Sequence, residues 1–205
     1  MSSHHFVKEQ QEPALLILNT QDISFDSVAP LLEWVPTVMV AQEEVFAVIS
    51  WGIKLDLILA DMAFQKQHYK LLEEQYPVKF LGVKDGGFLE EALQYLIATK
   101  HAAVNIVGFD HKQVFELKDK LNFLDIVIID GKMRYYPIKS GAFKKWFTET
   151  SVQLHAPEGT LIEVQTSEAS FIIEVRYATM IDIPEGSTTF KCDDVFWIGE
   201  MLKGM

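Results

Sequence analysis

The stretch GIKLDLILADMAF, Gly52 to Phe64, decides the fold class. Leu57 to Ala60 form an apolar run without a polar break, and the run ends in an acid, Asp61. A short run that is apolar on both alternating faces suits a strand covered on both sides, as in a parallel sheet flanked by helices. Ligands of such sheets gather outside the carboxyl ends of the strands. Asp61 is therefore a candidate site residue as well as a strand terminus.

Similar runs lie on either side. ALLIL (Ala14 to Leu18), TVMVA (Thr37 to Ala41), VKFLGV after Pro77, AAVNIVG and LDIVIID (Leu124 to Asp130) each read as a buried strand. FDSVAPLLEW carries a looser helical pattern, with Asp26 or Ser27 as its cap. GGFLEEALQYLIATK is the clearest helix: Leu89, Ala92, Leu93 and Leu96 fall on one face, with Glu90 and Glu91 early and Lys100 late. Strands alternating with helices predict a mainly parallel α/β sheet.

The texture changes after Asp130. TLIEVQTS, ASFIIEVRYATMIDIP and GSTTFKCDDVFWIGEML are rich in β-branched and aromatic residues and are broken by turns such as PEG and PEGS. They predict an antiparallel β-sandwich. The expected organisation is an α/β domain over residues 1–125 and a β-sandwich over 126–205. Trp146 and Trp197 fall in the sandwich, where the core is the commoner place for such residues.

Composition narrows the function. The chain has 205 residues, 49% of them hydrophobic, and a net charge of −11. An acidic balance with scattered Lys and Arg argues against a nucleic-acid surface. Cys192 is the single cysteine, which excludes an intrachain disulfide framework and fits a reducing compartment. The N-terminus lacks the apolar segment of a signal peptide, and no run reaches membrane-spanning length. The expectation is a cytoplasmic protein with no membrane segment, and with His4 and His5 in a solvated tail. Phosphate-loop, dinucleotide, GxSxG and HExxH patterns are absent. His68, His101, His111 and His155 read as surface or packing residues. What remains is a series of acids near strand ends: Asp56, Asp61, Asp85 with Glu90, and Asp110 beside His111. Taken singly, each reads as a cap or turn residue.

Their order resembles thiamine pyrophosphokinase. That family shows G-I-x-P-D, an apolar strand and G-D-x-D-S; GIKLDLILADMAF follows the frame with Leu55 for Pro and ADMAF for GDFDS. The family's K-D-x-T-D-L-E-x-A-L is matched by KDGGFLEEAL at Lys84, Asp85, Leu89, Glu90, Ala92 and Leu93. Its G-G-R-x-D-H turn is matched in shortened form by VNIVGFDH, which keeps Asp110 and His111. The resemblance implies transfer of pyrophosphate from ATP to thiamine, giving thiamine diphosphate and AMP. It also implies Mg2+, with Asp61 and Asp85 as catalytic and metal-side carboxylates, and Lys84, Glu90 and Asp110 on the nucleotide side. A homodimer with the thiamine site at the subunit interface is implied as well, the thiamine contacts being unassigned.

The departures are specific. The D-G-G turn is Gln42-Glu43-Glu44, the second acid of G-D-x-D-S is Ala63 and its Ser is Phe64. The T-D pair is Gly87-Phe88, and the arginine of G-G-R has no counterpart. Apolar groups in place of acid and hydroxyl are unsuited to polyphosphate. Three readings therefore stand: a pyrophosphokinase of weak or lost activity, a non-catalytic relative that binds thiamine, a nucleotide or a protein partner, and an α/β protein with a metabolic role unrelated to thiamine.

Overall fold

Pro13 launches β1 (Ala14–Ile17), and all four residues of this strand are fully buried. It is the central strand of a parallel sheet. The computed structural model describes residues 12–139, 141–176 and 178–202, so His4 and His5 lie outside the described residues. The chain divides into two units, one up to Gly131 and one from Lys132.

In the first unit β1 is followed by β2 (Val38–Ala41), β3 (Leu57–Ala60), β4 (Lys79–Gly82), β5 (Ala103–Val107) and β6 (Asp125–Asp130). Their spatial order is β6-β5-β1-β2-β3-β4, and every pairing is parallel. The runs that are apolar on both faces are thus strands of this sheet. However β4, at its edge, is not buried: Lys79 and Gly82 are exposed and Phe80 and Leu81 half-buried, because an edge strand has a neighbour on one side only. Burying one Leu or Ile of β1 or β3 contributes about 1.5–3 kcal/mol relative to exposure.

Five helices connect the strands: α1 (Phe25–Leu32), α2 (Val45–Ser50), α3 (Met62–Gln67), α4 (Leu71–Glu74) and α5 (Phe88–Ala98). Helix α1 starts at Ser24, not at Asp26 or Ser27, because Ser24 holds the extended backbone of an N-cap while Asp26 already lies in the first turn. Helix α5 buries Ala92, Leu93 and Leu96, the face its sequence periodicity predicts. Its acids Glu90 and Glu91 sit in the first turn, where the helix dipole favours them. A 3-10 segment over His111–Asn122 joins β5 to β6 and buries Val114, Leu117 and Leu121.

Among the described residues, the second unit contains eight strands: β7 (Met133–Ile138), β8 (Gly141–Phe147), β9 (Thr150–His155), β10 (Leu161–Gln165), β11 (Ser170–Glu174), β12 (Ala178–Ile183), β13 (Gly186–Cys192) and β14 (Phe196–Met201). Strands β12-β9-β14-β7 form one antiparallel layer. Strands β11-β10-β13-β8 form the other. The core joins Val152, Leu154 and Ile198 of the first layer to Ile162, Val164 and Phe190 of the second. Phe190 sits among Phe143, Phe147 and Phe196, and Cys192 is buried in the same cluster. Gly199 admits Tyr135, since a Cβ there would lie 2.5 Å from the tyrosine ring. Trp197 is fully buried, whereas Trp146 stands 57% exposed on an outward position of β8. The edge strand β11 leaves Phe171 and Ile172 exposed.

The fold is therefore an α/β unit with a parallel sheet followed by an antiparallel β-sandwich, as the sequence pattern predicts. Among the described residues, no helix is long and apolar enough to cross a membrane.

Candidate functional site at the carboxyl edge of the parallel sheet

The chain runs outward from β1 through β2 and β3 to β4, then crosses back through α5 to β5 on the other side of β1. The order reverses between β1 and β5, and in open α/β sheets the crevice at such a reversal, outside the carboxyl ends, is where ligands bind. The two strand ends approach closely there. Gly108 has φ +76°, and a Cβ on it would lie 2.0 Å from the Asn19 carbonyl oxygen. Only glycine fits both constraints.

A cleft of about 190 Å³ opens at this point, lined by Asn19, Asp22, Ile23, Gly108, Asp110 and Asp130 among others. Asp110 caps the 3-10 segment by accepting from the Lys112 N–H at 2.9 Å. The carboxylate of Asp130, at the end of β6, accepts from the His111 N–H at 3.0 Å and lies 2.6 Å from His111 Nδ1. His111 Nδ1 is also 3.8 Å from Asp110 Oδ1. Among the described residues, Asp110, His111 and Asp130 are the one set of three or more such side chains whose ligand atoms all lie within 4.8 Å of one another. His111, which reads in sequence as a surface or packing residue, is thus paired with Asp130.

Asp61, at the end of β3, is the N-cap of α3 and accepts from the Phe64 N–H at 2.8 Å. Gln42, from the end of β2, grips it twice. Its Oε1 accepts from the Asp61 N–H at 2.8 Å, and its Nε2 donates to Asp61 Oδ2 at 3.2 Å. The Phe64 N–H, and then Gln42, hold the Asp61 carboxyl below its ordinary range. Ala63 brings no donor atom. Phe64 turns into an aromatic cluster, 4.4 Å from the His68 ring and 6.5 Å from Phe80 between centroids, with Phe46 5.3 Å from His68. Glu44 accepts from the Thr20 hydroxyl at 2.5 Å, tying the end of β2 to the end of β1.

The other sequence candidates follow β4. Lys84 and Asp85 are exposed, and Asp85 occupies the left-handed region at φ 51°, which Asp tolerates better than most residues. Gly87, not Asp85, is the N-cap of α5. Glu90 meets Lys120 Nζ at 2.7 Å and Gln94 Nε2 at 2.8 Å. Lys120, followed by Gln94, lowers its carboxyl pKa. Asp56 lies at the opposite, amino edge, where its carboxylate accepts from the Val38 N–H at 2.8 Å.

The edge thus gathers two groups: Asp110, His111 and Asp130 around the cleft, and Asp61 with Gln42 at the ends of β2 and β3. Asp61 and Asp85 belong to no three-donor cluster among the described residues. Asp130 and Glu44 are not among the acids that the sequence singles out. A signal for Asp130 was present, because LDIVIID (Leu124 to Asp130) repeats the pattern of LDLILAD (Leu55 to Asp61), an apolar strand ending in an acid.

No family model matches this sequence, and no curated protein does. Solved structures match closely in fold. A thiamin pyrophosphokinase from Geobacillus thermodenitrificans superposes with a TM-score of 0.71 at 11% identity, covering 93% of this chain and 98% of that one. One from Bacillus subtilis gives 0.72 at 8% identity, covering 94% and 100%. One from Candida albicans gives 0.67 at 12% identity, covering 97% and 91%.

Proposed function

We propose that this chain, which has the thiamin pyrophosphokinase fold, binds a nucleotide at its carboxyl-edge crevice and transfers pyrophosphate from ATP to thiamine weakly or not at all. The state of Asp61 carries this reading. Its carboxylate serves as a helix cap and as a partner of Gln42, and the second and third side chains after it, Ala63 and Phe64, are a methyl group and a ring within an aromatic cluster. Magnesium needs near-octahedral oxygen ligation, supplied by carboxylates together with phosphates and water. Asp61 is already engaged by the Phe64 N–H and Gln42, and no donor joins it from Ala63 or Phe64, so the end of β3 offers fewer oxygen ligands than the resemblance implies.

Binding is supported by the cleft at the strand-order reversal and by the close backbone approach at Gly108. A homodimer is part of the proposal on the resemblance alone, and light scattering coupled to gel filtration tests it. The functional test is paired. AMP release is measured with ATP, thiamine and Mg2+, and thermal unfolding is followed with each ligand singly. The expected result is AMP release at background together with a rise in Tm with nucleotide. AMP release at the rate of an ordinary thiamin pyrophosphokinase overturns the loss of transfer, and no shift with ATP overturns nucleotide binding.

A further inference from the structure

We propose that Asp110, His111 and Asp130 form a site for a divalent transition metal, separate from the acids at the ends of β3 and β4. The donors come from neighbouring strand ends rather than from long mobile side chains. Asp110 and His111 follow β5, and Asp130 closes β6. Val107 stands opposite Ile129 in the parallel register, and the Gly108 N–H donates to the Ile129 carbonyl at 2.8 Å. The separation of the two turns is therefore fixed by the sheet.

The spacing suits a shared ion. Ligands about 2.0–2.2 Å from a tetrahedral zinc lie roughly 3.4 Å from one another. The donor atoms of all three side chains lie within 4.8 Å of one another. The 2.6 Å contact of His111 Nδ1 with Asp130 Oδ2 is a hydrogen bond that the ion would replace, the two atoms separating by less than about 1 Å as it enters. The His111 backbone N–H, which donates to Asp130 Oδ2, already orients that carboxylate. A metal taking Nδ1 requires that nitrogen to carry no proton, so any ring proton sits on Nε2 and the hydrogen bond to Asp130 is exchanged for the ion. Two carboxylates then balance the dication, and the adjoining cleft of about 190 Å³ has room for waters to complete the ligation. One imidazole with two carboxylates favours Zn2+ or Mn2+ over Mg2+, which prefers oxygen ligands alone.

The test uses the full chain without nucleotide or thiamine, so its failure is distinct from failure of the functional reading. His4 and His5 are first replaced by Ala, since adjacent histidines offer a competing imidazole pair. Zinc chloride, manganese chloride and magnesium chloride are then titrated calorimetrically. The expected result is one equivalent of Zn2+ or Mn2+, with Mg2+ at least about tenfold weaker. His111→Ala and Asp130→Asn should each weaken binding by about tenfold or more, while Asp61→Asn leaves it unchanged. Asp110→Asn, at the exposed side of the cluster, substitutes for either variant that fails to fold. No binding of any of the three metals overturns the site, as does binding insensitive to His111→Ala.

Discussion

Asp61 shows how one side chain serves either catalysis or architecture according to its neighbours. An acid at the end of a buried strand reads as a ligand in sequence, yet here its oxygens meet the Phe64 N–H and the Gln42 amide. Those bonds stabilise the ionised form and hold the folded carboxyl below its ordinary range. A carboxyl depressed on folding contributes stability above its unfolded pKa, and the contribution is lost as pH falls through the folded value. Asp61→Asn should therefore lower the melting temperature at neutral pH, and the gap to the parent should close as pH falls below 3.8. Thermal melts from neutral pH down to the acid range check this, and a gap that stays constant would show the charge to be idle. Asp130, with the same sequence pattern at the end of β6, meets an imidazole instead. Pattern alone places both acids at the edge. What each one faces depends on a neighbouring strand, about which local sequence says nothing.

At the scale of elements, Gly108 joins two strand ends that lie far apart in the chain. Gly108→Ala meets a positive φ and a backbone overlap with Asn19 together. The expected cost is about 2–4 kcal/mol, read as a lower denaturant midpoint. A loss below about 1 kcal/mol would mean that the ends of β1 and β5 can separate freely. The same elements show what sequence discloses. Strands β1, β2, β3, β5 and β6 are legible because burial on both faces demands unbroken apolar runs, and α5 because one helical face is apolar over three turns. The short helices α3 and α4 bury at most one residue each, too little to imprint a period. The 3-10 segment over His111–Asn122 is mostly polar and is anchored by three buried side chains, so it reads as loop. The sandwich strands are visible as texture, but their pairing is not, since register is fixed by partners distant in sequence.

For the whole molecule the governing quantity is a net charge of −11 on 205 residues. Like charges repel more strongly when brought together by folding, and salt screens that repulsion. Raising NaCl from about 20 mM to about 0.3 M shortens the screening length from about 20 to about 6 Å, and the melting temperature should rise. A fall would mean that favourable ion pairs such as Lys120 with Glu90 outweigh the net repulsion. The edge strand β11 gives this charge a second use. Its outer rim can template another extended chain, and its exposed Phe171 and Ile172 are the side chains such a cross-β contact would recruit. Glu168 and Glu174 flank this segment as gatekeepers. Glu168→Gln with Glu174→Gln should lower the concentration at which the protein stays free of aggregates, read by light scattering, and an unchanged threshold would show the two charges to be idle at this rim.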